Sequence, residues 1–293
     1  MWAILQRLTL MLKDFTNNLF PLLRNDFQKK LLSATLKNLE DLSNPLCFNN
    51  FCSGYRELIR HVLSEMAPDS EIKACAWYAP DKTSRTGITR AHAITYVLQG
   101  GLSSDYVIRT LKLNVLVDKK RLIDAINTLH KYTHVNEDTF GIDALRASDE
   151  ANLAINALHD VIVLANQCRV QLARALEAQI HKEVIAAAIG ETIGAIDELA
   201  THHCIDDINV EVVTILGVCS EFIYLKASGT IEVELQWGSN GDLRRGEGIA
   251  GKESFPFTCE LQSHVEYPAE LEIAEGAFCV DTSSWWDGYY DEE

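Results

Sequence analysis

The eight cysteines, Cys47, Cys52, Cys75, Cys168, Cys204, Cys219, Cys259 and Cys279, include no C-x-x-C pair. Neither a zinc ribbon nor a thioredoxin-type motif is therefore encoded, and scattered thiols of this kind read as small buried apolar groups. No apolar run approaches the roughly 20 residues that span a bilayer. The opening MWAILQRLTLMLKDF is broken by Gln6, Arg7, Lys13 and Asp14, too early for the core of a signal peptide. A soluble chain in a reducing cytoplasm is expected, with no membrane contact. No internal repeat is visible. Basic residues are scarce in one part only. Through Val135 there are 18 Lys+Arg against 12 Asp+Glu, whereas the remaining residues hold 8 against 30, and the overall net of −16 conceals this. A leading half that attracts phosphate is joined to a trailing half that repels it, so nucleic-acid contact is expected before residue 136. The acidic end suits a protein partner.

At 293 residues and 47% hydrophobic content the chain can build two cores of ordinary size. Helical spacing of Trp2, Leu5, Leu8, Leu12, Phe15 and Leu19, interrupted at Pro21, predicts amino-terminal helices. YRELIRHVL, residues 55–63, belongs to a helix that stops near Pro68. VLQGGLSSDYVIRTL reads as two short helices turning at Gly100 and Gly101, the second capped by Ser104 or Asp105. DKKRLIDAINTLHKYTHV adds an amphipathic helix, and from Ser148 to His202 the pattern stays helical with only Gly190 and Gly194 to disturb it. A run of that length is a natural dimerisation element, so a homo-oligomer is expected.

After His203 the period switches to alternation. INVEVVTIL, EFIYLKA, TIEVELQW and FPFTCELQSHV read as strands, with a turn at Ser228-Gly229. In TIEVELQW, Ile231, Val233, Leu235 and Trp237 alternate with Glu232, Glu234 and Gln236, which marks an antiparallel sheet wetted on one side. The fold class is α+β: an N-terminal helical bundle, a long connecting helix and a C-terminal antiparallel, β-sandwich-like domain. The expected divisions are 1–46 (N-terminal helices), 47–147 (a basic helical domain), 148–203 (the long helix) and 204–293 (an acidic β domain with an aromatic tail).

Candidate chemistry concentrates on YRELIRHVL. On a helical wheel, Tyr55, Leu58, Ile59, Val62 and Leu63 share a core arc, with Arg56 and Arg60 at about 160° and 200° from Leu58, and Glu57 and His61 at about 260° and 300°. Arg56 and His61 then stand too far around the helix to meet on one phosphate. The ordinary alternative is a solvated flank in which Glu57 contacts His61. In LHKYTHV, His130 and His134 lie one turn apart and can face one cleft, or simply close a helix end. Arg56, Arg60, His61, His130 and His134 are the candidate catalytic set, with Arg85, Arg90 and Arg109 as candidate nucleic-acid contacts. Arg85-x6-His92 fits the same loose spacing more weakly. Arg109 would serve a helix-turn-helix, for which a plain helical hairpin is the alternative.

In the trailing half, GSNGDLRRGEGIAGKES (238–254) is a long strand connection carrying Asp242, Arg244 and Arg245, a phosphate or carboxylate clamp or a partner-binding loop. THHCIDD offers His202, His203, Asp206 and Asp207, yet adjacent histidines rarely hold one ion, so a helix-to-strand junction is expected there. No metal and no cofactor are expected. DTSSWWDGYYDEE reads as a docking segment.

The Arg56-x4-His61 spacing resembles the R-x4-6-H signature of HEPN ribonucleases. That resemblance implies metal-independent RNA cleavage, with histidine handling the proton and arginine steadying the phosphate. YRELIRHVLSEMAPDSEIKACAWY, HKYTHVNEDTF, THHCIDDINV, LQWGSNGDLRRGEG followed by SFPFTC, and DTSSWWD together resemble the predicted pPIWI-associating nucleases of bacteria, from about Phe51 to Asp287. The resemblance implies a nuclease component of anti-phage or genome defence acting on RNA or DNA. A non-catalytic subunit that senses nucleic acid or binds a partner is the alternative, and a helix-turn-helix regulator is a third reading.

Overall fold

The computed structural model describes residues 17–190 and 193–287. The chain divides into two compact units, Met1–Cys168 and Arg169–Glu293. Of the amino-terminal helical pattern, Trp2 through Phe15 lie outside the described residues, while Leu19 is fully buried and Pro21 sits in a 3-10 turn, Phe20–Leu22.

The first unit is helical. Helix α1 (Asp26–Glu40) starts at Asn25, whose side chain accepts from Gln28 N and supplies a partner to a first-turn donor. Its Leu32, Leu36 and Leu39 are buried at helical spacing. Helix α2 (Cys47–Met66) is the central element and packs on α1 and on the helices that follow. Phe48, Phe51, Tyr55, Leu58, Ile59 and Val62 are all buried, which is the core arc expected of YRELIRHVL. Phe51 stacks on Tyr55, and Phe48 meets Tyr132 edge-on with ring centroids 4.9 Å apart. Gly54 lets α1 approach α2: a Cβ there would lie 2.5 Å from Thr35 Oγ1.

Helix α2 ends at Met66, before Pro68, and α3 (Asp69–Ala74) follows. Helix α4 (Arg90–Gln99) is capped by Thr89 and ends at Gly100, whose φ of 58° suits glycine. Trp77 Nε1 donates to the Gly100 carbonyl at 2.8 Å. Helix α5 (Ser104–Arg109) is capped by Ser103, not by Ser104 or Asp105. At six residues it is a short hairpin arm rather than a recognition helix. Helix α6 (Val115–Thr133) buries Leu122, Ile126, Leu129 and Tyr132. Asn49 of α2 donates from its buried amide to the carbonyls of Tyr132, at 2.8 Å, and Thr139, at 3.1 Å. Those bonds tie the end of α6 and the loop beyond it to α2.

Helix α7 runs from Ala144 to Gly190. The helical pattern was expected to reach His202, but the helix stops at the first glycine. A single turn, α8 (Gly194–Asp197), precedes strand β1 (His202–Val218). Gly190 gives up the most backbone entropy in a helix, and Ile193, the next described residue, is not helical.

The second unit holds the antiparallel sheet β1-β2-β3-β4, completed by β2 (Phe222–Trp237), β3 (Ile249–His264) and β4 (Leu271–Val280). The α+β class holds, and its C-terminal β part is, among the described residues, one four-stranded sheet. Ile223, Leu225, Ala227, Ile231, Val233 and Leu235 are buried on one face, while Glu232 and Glu234 are exposed on the other. The expected turn at Ser228-Gly229 does not exist, because β2 is continuous through it. Gly229 pairs with Val210 next to a bulge in β1, and a Cβ there would collide with the Asn209 carbonyl. The glycine marks close backbone approach. Leu172, Leu176, Ile180 and Val184 of α7 are buried in this unit, and a cleft lined by Val170, Arg174, His181, Val210 and Val213 sets that part of α7 beside β1.

The Gly54 contact generates a stability prediction. Gly54→Ala should cost about 1–3 kcal/mol, the usual penalty of overpacking, because buried, β-branched Thr35 has little freedom to rotate away. Thermal or urea unfolding should show that loss, and Thr35→Ala in the same chain should recover much of it.

Candidate active site

The burial of α2 through Tyr55, Leu58, Ile59 and Val62 leaves Arg56, Glu57, Arg60 and His61 on its flank. Arg56 does not turn to His61. Its Nη1 lies 2.9 Å from His130 Nδ1 and donates to Thr133 Oγ1 at 3.2 Å, so it bridges α2 to the last turn of α6. Thr133 Oγ1 in turn donates to the His130 carbonyl at 2.7 Å. Guanidinium carries donors only, so Nδ1 of His130 accepts and the proton of the neutral ring resides on Nε2. His134 stands edge-on to His130 with centroids 5.0 Å apart. The two histidines read as neighbours from LHKYTHV are neighbours, and both are exposed. Thr139 donates to the His134 carbonyl at 2.7 Å and fixes the chain just past the pair.

A second group forms around Arg60. Its Nε donates to Glu57 Oε2 at 2.8 Å, and its Nη2 lies 2.9 Å from His61 Nε2. The arginine stands where a direct Glu57–His61 contact was considered. His61 also packs edge-on against Phe27, 4.9 Å between centroids. The hydrogen bond from Arg60, followed by the charges of Arg60, Arg56 and His61, holds the Glu57 carboxyl below the usual glutamate range.

Arg56, Glu57 and Arg60 face a common cleft of about 230 Å³, and Arg90 at the start of α4 lines it too. Its floor is apolar, from Ile59 and Leu63 of α2 and Ile126 of α6. Three arginines and two carboxylates, Glu57 and Asp69, thus line a pocket with a greasy base. Cationic donors beside a low-dielectric floor are chemically able to hold an anionic group. Glu57, Thr133 and the cleft itself are absent from sequence reasoning as site features. Only the one-turn spacing of His130 and Thr133 could have pointed to the threonine.

The remaining candidates stand apart from this cluster. Arg85 is exposed in the 81–88 loop, and His92, its proposed companion, has its Nδ1 committed to the Thr89 backbone N–H. Arg109 is exposed and lies 3.8 Å from Asp105. In the second unit the 238–254 stretch is shorter as a loop than expected, because it folds into α9 (Asn240–Arg245) and β3 begins at Ile249. Ser239 and Asp242 form a reciprocal cap, and Arg245 pairs with both Asp242 and Glu247. Asp242 is held below the usual carboxylate range by its bonds from Ser239 and then from Arg245. These groups brace the turn, while Arg244 remains exposed. Trp285 stacks on Trp237, centroids 5.8 Å apart, which returns the aromatic tail to this turn. Tyr289 and Tyr290 lie outside the described residues. In THHCIDD, His203 pairs with Asp197 and Asp206 with Lys252, as suits a junction. Among the described residues no group of three or more His, Cys, Asp or Glu is placed to hold a metal ion.

The Glu57 environment gives a pH prediction. A carboxyl depressed in the fold stabilises it above the unfolded-state value and loses that contribution as pH falls through the folded one. The pair is exposed, so the effect on stability is small. An NMR titration of the Glu57 carboxyl should have its midpoint below the ordinary 4.5, and Arg60→Ala should move it upward.

Two family models match the chain, at residues 21–158 and 165–286, and both are described as predicted pPIWI-associating nuclease. No curated protein and no solved structure matches it.

Proposed function

Because the chain belongs to the predicted pPIWI-associating nuclease family, we propose that it cleaves RNA by internal phosphoryl transfer in the first unit, as a component of bacterial defence against invading nucleic acid. The observation that carries this reading is the Arg56–His130 pair, 2.9 Å apart, on an arginine that also lines the cleft with Arg60 and Arg90. Arg56, Arg60 and Arg90 neutralise the phosphodiester. His130, locked with its proton on Nε2, adds a donor for a nonbridging oxygen, where charge grows in the transition state. Glu57 is the ionised acceptor in the cleft and takes the 2′-hydroxyl proton. His134, edge-on to His130, gives a proton to the departing 5′-oxygen. The new bond joins the 2′-oxygen to phosphorus, and the phosphorus–5′-oxygen bond breaks. The products are a 2′,3′-cyclic phosphate and a free 5′-hydroxyl. DNA lacks the attacking hydroxyl and is not a substrate on this reading.

In the second unit Arg245 of α9 is paired with Asp242 and Glu247, and Lys252 with Asp206. We assign this acidic unit to protein contact, with a PIWI-like protein or a second copy of the chain. Among the described residues no helix is long and apolar enough to cross a membrane. A cytoplasmic location fits a defence role.

The test uses purified full-length protein and labelled single-stranded RNA and DNA. Cleavage of RNA alone, unaffected by a chelator and leaving cyclic phosphate ends, is the expected result. Arg56→Ala and His134→Ala should each lower the rate by about 10²–10⁴-fold, the range of a lost electrostatic or acid–base group. Unchanged degradation in both variants would favour the reading as a non-catalytic sensing subunit, with the nuclease a contaminant.

A further inference from the structure

The cleft beside Arg56 extends along α2 to a carboxylate and over an apolar floor that phosphate binding alone does not use. Arg56, Arg60 and Ser64 line it at four-residue intervals, followed by Ala67 and then by Asp69 at the start of α3. From Arg56 to Ala67 the helix rises about 16 Å, so Asp69 stands at the opposite end of this wall from Arg56 and its neighbour Glu57, and Arg90 of α4 adds a third arginine to the lining. Between those ends lie Ile59, Leu63 and Ile126, each no more than 5% exposed, and the small side chain of Ala93 from α4. At about 230 Å³ the space is smaller than the roughly 300–1,000 Å³ of pockets that hold drug-sized ligands. It cannot admit a duplex, whose bases are stacked and paired.

We propose that this cleft is a subsite for one unpaired nucleotide, its phosphate on Arg56 and Arg60, its base on the Ile59–Leu63–Ala93–Ile126 floor and its edge toward Asp69. Sequence-selective RNA recognition depends on unstacked bases of this kind. A carboxylate at Asp69 accepts hydrogen bonds, so it favours a base edge rich in N–H groups and disfavours one rich in carbonyls. Guanine presents its ring N–H and amino group side by side and satisfies both carboxylate oxygens. Uracil presents one N–H between two carbonyls. The subsite rests on the phosphodiester reading above and adds its substrate class: single-stranded RNA cut next to an unpaired guanine.

The experiment compares binding of guanosine 3′-monophosphate, uridine 3′-monophosphate and inorganic phosphate by calorimetry, using wild type, Ala93→Leu, Asp69→Asn and Arg56→Ala. Wild type should bind the guanine nucleotide about tenfold or more tighter than phosphate, in line with burial of a base face on an aliphatic floor, and tighter than the uridine nucleotide. Ala93→Leu should remove that gain and leave phosphate affinity unchanged. Ala93 is partly exposed, and Asp69→Asn, at an exposed position, supplies an independent test by lowering the guanine preference alone. Phosphate binding that Arg56→Ala weakens, with no gain from either base, overturns the subsite and leaves the phosphodiester reading intact. If neither phosphate nor nucleotide binds wild type, both fall together.

Discussion

The guanidinium of Arg56 can only donate hydrogen bonds, and this constraint organises the leading unit. Its Nη1 reaches an imidazole nitrogen and a hydroxyl on another helix. The arginine therefore sets the tautomer of His130 as well as its position. That pairing requires α2 and the end of α6 to keep their spacing. The buried aromatic contacts of Phe48 with Tyr132 and the two carbonyl bonds from Asn49 provide it. Gly54 serves the same geometry on the other side by letting α1 close on α2. Packing that looks remote from chemistry thus determines where two exposed histidines stand.

Charge follows the same division of labour. Around the cleft, Arg60 is shared between Glu57 and His61, and Arg56 is turned toward α6. An exposed ion pair contributes little to folding, so the Arg60–Glu57 pair can be rearranged at little cost to the fold. In the second unit Asp242, Arg245 and Glu247 are bound up in capping a single helical turn. Of the two arginines read there as a clamp, Arg245 is engaged in this brace, while Arg244 is exposed. Arg245 and Lys252 of this unit are exposed yet paired with its own carboxylates.

Helical azimuth was legible in YRELIRHVL: the core arc, the polar flank and the failure of Arg56 to meet His61 all follow from 3.6 residues per turn. The wheel says nothing about which other helix comes alongside. The partner of Arg56 is 74 residues away and has no local signature. In the sheet, the alternation of TIEVELQW was readable because one face is dry. Gly229 was misread as a turn because glycine serves both tight turns and close backbone approach, and only the neighbouring strand distinguishes them. Strand β4, LEIAEGAFCV, was missed because Gly276 and its polar neighbours interrupt the alternation. Its pairing with β3 is itself irregular. The premature end of α7 belongs to the same class of ambiguity, since Gly190 is tolerated in some helices and terminates others.

The central claim is that Arg56 holds His130 through Nδ1. Side-chain nitrogen NMR of His130 in wild type and Arg56→Ala tests it without any assay of cleavage. The account predicts an unprotonated, hydrogen-bonded Nδ1 and a protonated Nε2 in wild type, relaxing to a mixture of tautomers when the arginine is removed. A wild-type ring protonated on Nδ1, or a tautomer indifferent to Arg56→Ala, would contradict it.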